Sequence, residues 1–351
     1  MLRRILLSPF ALLWTLVLGL RHALYDTGVL HSVRPAIPTV AIGNLSFGGT
    51  GKTPHVELVL AALKRLGPIA TLSRGYGRRG SEVHEVRAED TTAQVGDEPL
   101  MLKRSHPDVR VFVGADRVAA FATIERTAPE VKAVVLDDAM QHRRLNAGLY
   151  ILLTTYQRPY SRDAVVPAGH LRDLPARAKA AGIVVVTKCP AEAGDLDAER
   201  WRNRLGLRPD QRLFFSGLVH GLPRWLNGAG TVPQGPGAAA LLVTGIADPA
   251  PLVAHARATW GTVRHMRFPD HHRFGPGDID RLAEAFATFA GREKTIVTTE
   301  KDAVRLLPWT QGGALARVPI AVVPVQARIL NDPDGFNALL RQHLGAHTAH
   351  G

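Results

Sequence analysis

The stretch TVAIGNLSFGGTGKTPHVELVLAAL, residues 39–63, decides the fold. Its apolar, β-branched opening reads as a strand, and the run from Lys52 to Leu66 reads as a helix. Between them lies Ser46-Phe47-Gly48-Gly49-Thr50-Gly51-Lys52-Thr53. In a loop of this kind backbone N–H groups curl around phosphate oxygens, the lysine reaches the β- and γ-phosphates, and the hydroxyl serves Mg²⁺. Gly48, Gly49 and Gly51 supply the permissive backbone, Lys52 the cation and Thr53 the hydroxyl. Pro54 is tolerated because the first helical turn has no internal partner for its missing N–H. The pattern G-x-x-x-x-G-K-[ST] is missed only at Ser46, and the helix N-terminus that follows adds its own attraction for anions.

Outward from this loop, β-rich runs alternate with amphipathic ones. PIATLSR, VRVFVG, KAVVLDD, LYILLTT, AGIVVVTK and RLFFSGLV read as strands, with helices near Glu98–Arg104 and from Ala115. This grammar implies an α/β fold, a P-loop NTPase-like, mostly parallel sheet covered by helices. GAGTVPQGPGAAA (residues 228–240) reads as a linker. After it ALLVTGI, TVRHMRF, KTIVTTE and IAVVPV restart the pattern as a second, smaller α/β lobe. The division expected is an N-terminal helical segment at 1–35, a P-loop lobe at 36–235 and a smaller lobe at 236–351.

With 351 residues, 46% apolar and 21% charged, the chain is globular and long enough for a substantial core. Its single cysteine, Cys189, excludes an intramolecular disulfide. A net charge of +12 suits polyanionic partners: nucleic acid, anionic lipid or phosphorylated substrates. No RNA-binding aromatic motif or helix-turn-helix accompanies it, so nucleic acid is not expected. Near the N-terminus, ILLSPFALLWTLVLGL is a 16-residue run without charge, flanked by Arg3, Arg4, Arg21 and His22. It is shorter than the ~20 residues of a spanning helix and is read as a helix lying in or dipping into a membrane, with a buried core helix as the alternative.

A second chemical element follows the loop. Ala133–Leu136 form an apolar strand ending in Asp137-Asp138, where P-loop enzymes carry an acid for Mg²⁺. VTKCP stands where GTPases carry [NT]-K-x-D, but Pro190 occupies the position of the guanine-reading Asp, so ATP is the expected nucleotide. Polar clusters at strand ends, Ser73–Arg78, Gly96–Pro99, Ala115–Arg117 and Phe268–Phe274, are candidates for the acceptor side. An Asp beside an acceptor hydroxyl serves as base and a nearby His orients it. The adjacent His271 and His272 have no third ligand at metal-binding spacing.

GNLSFGGTGKTP, LSRGYGRR, VGDEPLML, GADR, VLDDAMQHRRL, VTKCP, FPDHHRF and TTEKDAVRL, in this order, closely resemble the tetraacyldisaccharide 4′-kinase (lipid A 4′-kinase) family of Gram-negative bacteria. That family commonly has Ser or Thr at the position of Ser46. The resemblance implies ATP-dependent phosphorylation of the 4′-hydroxyl of tetraacyldisaccharide 1-phosphate to lipid IVA, at the cytoplasmic face of the bacterial inner membrane. It implies Asp97 as base, aided by His271 or His272, with Lys52 on the β/γ-phosphates. Thr53 and Asp137 or Asp138 would hold Mg²⁺, with Glu98 in its outer sphere. Arg74 and Arg117 would contact the ATP γ-phosphate or the lipid 1-phosphate, and Tyr76 would line the site. The implied partners are the lipid A disaccharide precursor and the membrane surface; oligomeric state is left open. A P-loop kinase or ATPase for a soluble metabolite is the competing reading, and it leaves the apolar N-terminus without a role.

Overall fold

The computed structural model describes residues 2–190 and 196–348. Helix α1 (Leu2–Asp26) leads into β1 (Thr39–Asn44), α2 (Lys52–Leu63), β2 (Ile69–Ser73), β3 (His84–Glu85), α3 (Thr92–Val95) and α4 (Asp97–Ser105). Next come β4 (Arg110–Val113), α5 (Arg117–Thr127), β5 (Ala133–Asp137), β6 (Leu149–Thr155), β7 (Ile183–Thr187), α6 (Ala198–Leu205) and β8 (Arg212–His220). The chain continues through β9 (Arg224–Trp225), β10 (Gly235–Thr244), α7 (Ala250–Thr259), β11 (Trp260–Arg267), α8 (Pro276–Thr288) and β12 (Glu293–Thr299). It ends with α9 (Glu300–Leu306), β13 (Ile320–Val323), β14 (Val325–Ile329) and α10 (Pro333–Thr348).

Nine strands form one sheet in the order β14-β8-β7-β6-β1-β5-β2-β4-β3, and five form another in the order β11-β10-β12-β13-β9. All pairings inside the large sheet are parallel except at its edges, where β14 and β3 run antiparallel. Strands β1, β5 and β7 are buried along their whole length, as parallel strands covered on both faces must be. Helix α2 covers one face with Val56, Val59, Leu60 and Leu63, an i, i+3, i+4, i+7 stripe. Each such side chain contributes about 2 kcal/mol on burial. Phe336, Leu340 and Leu344 of α10 belong to the same core.

Sheet membership does not follow the expected division at 235/236. β9 joins the smaller sheet, whereas β14 pairs with β8 and returns the C-terminal segment to the large one. The lobes are therefore joined by two crossings, at residues 221–223 and at Pro324, tied together where Gly221 N–H donates to the Pro324 carbonyl at 2.9 Å. The expected linker at 228–240 is half strand, because β10 already begins at Gly235. Ala238–Ala240 are buried between β11 and β12, so small apolar residues there serve packing rather than flexibility.

Helix α1 is no core helix. Phe10, Leu13, Leu16 and Leu20 are exposed, and Leu6–Asp26, a stretch long and apolar enough to cross a membrane, is mostly unburied. Its C-terminal end is anchored: His22 Nε2 meets Asp173 Oδ1 at 2.6 Å, Arg143 meets Asp26 at 2.6 Å, and Arg21 donates to the Gln141 carbonyl at 3.0 Å.

Candidate active site

The site lies at the carboxyl ends of the central strands, where open α/β sheets bind ligands. Strand β1 pairs with β5 in a register that sets Ile42 opposite Asp137, so the loop after β1 and the acids after β5 become neighbours. The loop from Ser46 to Thr53 is seated on the 170–171 segment: Phe47 N–H donates to the His170 carbonyl at 2.7 Å, and Ser46 bridges to Leu171. Gly48 and Gly51 have φ of 107° and 81°, left-handed values that a side chain would strain. The Phe47 ring is exposed beside them.

Lys52 Nζ lies 3.4 Å from Asn44 Oδ1 and 3.6 Å from Asp138 Oδ2. Arg172 holds Asp138 in a two-pronged ion pair, one arm at 2.9 Å, and also bonds to Asn44. Burial raises the Asp138 carboxyl, but the hydrogen bond from Arg172 and the charge of Lys52 outweigh it and hold it below the ordinary range. Its neighbour behaves oppositely: burial, then the charges of Glu98 and Asp138, push Asp137 up to about 7. Asp137 Oδ1 is buried with no hydrogen-bond partner among the described residues. A buried carboxylate oxygen without a hydrogen-bond partner, with two further carboxylates near enough to raise it, fits a divalent cation. Asp137, Asp138, Glu98 and the Thr53 hydroxyl are the oxygen donors on hand for Mg²⁺. Among the described residues no group of three or more His, Cys, Asp and Glu stands at metal-binding spacing.

Arg117 is 3% exposed and donates to the Gly114 carbonyl. Burial lowers its pKa to about 10, the charge of Asp137 opposing that shift, so it remains a cation facing Asp137. This burial does not support the direct phosphate contact expected of Arg117. Arg74, exposed and near enough for its charge to depress Arg117, is open to an anion.

The second cluster is assembled across the two lobes, where α4 packs on α9. Asp97 opens α4 after Gly96, whose φ is 91° and where a Cβ would stand 2.9 Å from the Tyr76 carbonyl oxygen. Asp97 Oδ2 accepts from His271 Nδ1 at 3.2 Å and from Arg305 Nε at 2.9 Å, with a second, shorter bond from Arg305 Nη2. Burial pulls the Asp97 carboxyl up, but bonds from His271 and Arg305 prevail and hold it at about 2. Lys301 Nζ lies 3.0 Å from His271 Nε2 and 3.1 Å from Glu98 Oε1. An ammonium only donates, so Nε2 accepts and Nδ1–H is left to face Asp97. Tyr76, 71% exposed, sits edge-on to the His271 ring at 5.5 Å. His272 turns away to Asp278, 2.9 Å off, so His271 is the histidine that meets Asp97. Among the described residues the non-glycine positions with positive φ are Asp138 and Lys188, which directly follow β5 and β7, and His271, four residues past the end of β11.

Residues 3–345 match the model of the LpxK family, described as tetraacyldisaccharide-1-P 4'-kinase. The chain belongs to this family. The tetraacyldisaccharide 4'-kinase of Bacteroides thetaiotaomicron is 37% identical over 344 residues, 94% of this chain and 90% of that one. The enzyme of that name from Flavobacterium johnsoniae is 34% identical over 349 residues, 98% of each chain. The fold is that of the crystal structure of the "apo" form of LpxK from Aquifex aeolicus in complex with ATP, with a TM-score of 0.76 at 22% identity, covering 98% of this chain and 100% of that one.

Asn44, Arg172, Lys301 and Arg305 join the site without an expected role. For the last two a signal existed: TTEKDAVRL carries charges one and four residues apart at a helix start, following a buried strand. For Arg172, within an irregular segment, there was none. Cys189 is buried and its thiol is pushed up to about 11 by burial, so it is no nucleophile.

Proposed function

We propose that this chain transfers the γ-phosphoryl group of ATP to the 4′-hydroxyl of tetraacyldisaccharide 1-phosphate, giving lipid IVA, at the cytoplasmic face of the inner membrane. The observation that carries this is that Glu98 serves both clusters, its charge raising Asp137 beside the P-loop and its carboxylate meeting, at 3.1 Å, the Lys301 that holds His271 toward Asp97, in a chain of this family.

In this reading ATP lies with its phosphates in the Ser46–Thr53 loop. Lys52 leaves Asn44 and Asp138 for the β- and γ-phosphates, and Arg172 retains Asp138 meanwhile. Mg²⁺ held by Thr53, Asp137 and Asp138, with Glu98 beyond, would supply charge neutralisation on the phosphates. Arg74 meets an anionic group of ATP or of the lipid, Tyr76 lines the acceptor's approach, and Arg117 balances the charge of Asp137 from within. The acceptor hydroxyl gives its proton to Asp97 as its oxygen bonds to phosphorus and the bond to the ADP oxygen breaks. A carboxylate held at about 2 is a weak base, but a loose phosphoryl-transfer transition state asks more for orientation than for basicity. His271, fixed between Lys301 and Asp97, supplies that orientation. The exposed apolar side of α1 meets the bilayer, and its basic flank meets anionic headgroups.

The test is transfer of label from γ-³²P-ATP to tetraacyldisaccharide 1-phosphate in mixed micelles, with Lys52→Ala alongside. Labelled lipid from the wild type and none from the variant is expected. ATP hydrolysis without labelled lipid would overturn the lipid acceptor.

A further inference from the structure

The P-loop is held from behind by residues that none of the steps above uses. His55 is fully buried in the first turns of α2, with Nδ1 2.7 Å from the Gly51 carbonyl oxygen and Nε2 2.8 Å from the Ser216 hydroxyl. The carbonyl only accepts, so Nδ1 carries the proton. Burial keeps the ring neutral, its pKa near 4, and Nε2 accepts from Ser216. The Gly51 carbonyl also accepts the backbone N–H of His55 at 3.3 Å. One residue earlier, the Thr50 carbonyl accepts from the Thr187 hydroxyl at the end of β7, at 2.9 Å.

In a trans peptide the C=O and the following N–H point in opposite directions. Drawing the Thr50 and Gly51 carbonyls toward the protein therefore turns the N–H groups of Gly51 and Lys52 outward, the way a phosphate-binding loop needs them. Ser216 is 161 residues from His55. It sits in β8 opposite Ile329 of β14, in the strand pair that carries the chain between lobes, and its carbonyl accepts from Cys189 N–H at 3.0 Å.

We propose that His55 and Ser216 are a positioning pair: they set the Gly51–Lys52 peptide for phosphate binding and tie the P-loop to the strands joining the two lobes. The inference rests on the P-loop being the ATP site, as argued above. Neither side chain touches the reacting atoms, and both act through the loop backbone.

The test measures ATP binding by equilibrium dialysis, together with the KM for ATP and for the lipid acceptor. Ser216→Ala removes one donor. His55→Asn keeps a donor for Gly51 but falls short of Ser216, and His55→Leu keeps bulk and removes both bonds. Losing one buried hydrogen bond should weaken ATP binding about five- to tenfold in Ser216→Ala and His55→Asn. His55→Leu should weaken it further, with the acceptor KM unchanged. Adding Ser216→Ala to His55→Leu should change nothing more, since the link is already gone. A lower thermal midpoint with wild-type ATP affinity in Ser216→Ala and His55→Asn would make the pair structural only and overturn the proposal. Equal weakening of ATP and acceptor would overturn it too. Should His55→Leu fail to fold, the two milder variants decide. A wild type that binds ATP but labels no lipid would defeat the lipid-kinase reading alone, because the dialysis arm still tests the pair.

Discussion

Replacing Arg305 with leucine isolates what holds the two lobes' shared acid. The Arg305 side chain is 3% exposed and is the cation for both Asp97 and the wholly buried Asp302. Asp97 stands at about 2 against an ordinary 3.8. At about 1.4 kcal/mol per pH unit, that difference corresponds to about 2.5 kcal/mol of stability at neutral pH, the net of the bonds from His271 and Arg305 over the opposing cost of burial. Without the guanidinium, Asp97 has only His271 to set against burial, and Asp302, already raised by burial, loses its counter-ion. Removing one partner of a buried pair costs about 3–5 kcal/mol. The sign follows from linkage. In the wild type the Asp97 contribution is complete above about pH 4 and is lost only as pH falls through about 2. In Arg305→Leu both carboxyls move upward from their wild-type positions, so the variant loses stability relative to the wild type as pH rises above about 4. The gap between the two proteins should therefore already be open at pH 4, where the wild-type Asp97 contribution is present, and should widen toward pH 7. Urea unfolding followed by tryptophan fluorescence at pH 4, 5, 6 and 7 measures it. A destabilisation equal at pH 4 and pH 7 would refute the assignment of Arg305 as the charge partner.

Asp97→Asn should lower kcat about 10²- to 10⁴-fold with little change in the KM for ATP, and an unchanged kcat in steady-state assays would disqualify Asp97 as proton acceptor. Asp137→Asn should stabilise the metal-free protein near neutral pH while impairing transfer. The Asp137 carboxyl is raised from 3.8 to about 7, so the wild type loses stability as pH rises between those values, by at most about 4 kcal/mol; an identical pH slope in the Asn variant would count against this. Arg172→Ala should raise the KM for ATP and lower kcat, each by about tenfold, because Asp138 and Asn44 lose a charge-assisted clamp; wild-type kinetics would remove Arg172 from the site. Deleting residues 1–25 should abolish most co-sedimentation with anionic vesicles, and undiminished binding would locate the membrane contact elsewhere.

What sequence alone determined is what short-range physics encodes. The P-loop is legible because eight consecutive residues carry its glycines, its lysine and its hydroxyl, and because the periodicity on either side changes from strand to helix. Asp137 and Asp138 are legible as a polar stop on an apolar run, and α1 as an apolar stretch between basic residues. Order in sequence, however, is silent on which strands pair. Only the β1–β5 register brings Asp137 to the loop, and only the return of β14 to β8 binds the C-terminal segment to the first lobe. Asp97 and His271 are 174 residues apart, and Asp97 and Arg305 are 208 apart. An arginine that neutralises a buried carboxylate reads the same in sequence as one on a solvated helix face. Burial removes the water that would otherwise solvate these charges and makes their choice of partner decisive, and burial is a property of the packed lobes rather than of any local stretch of chain.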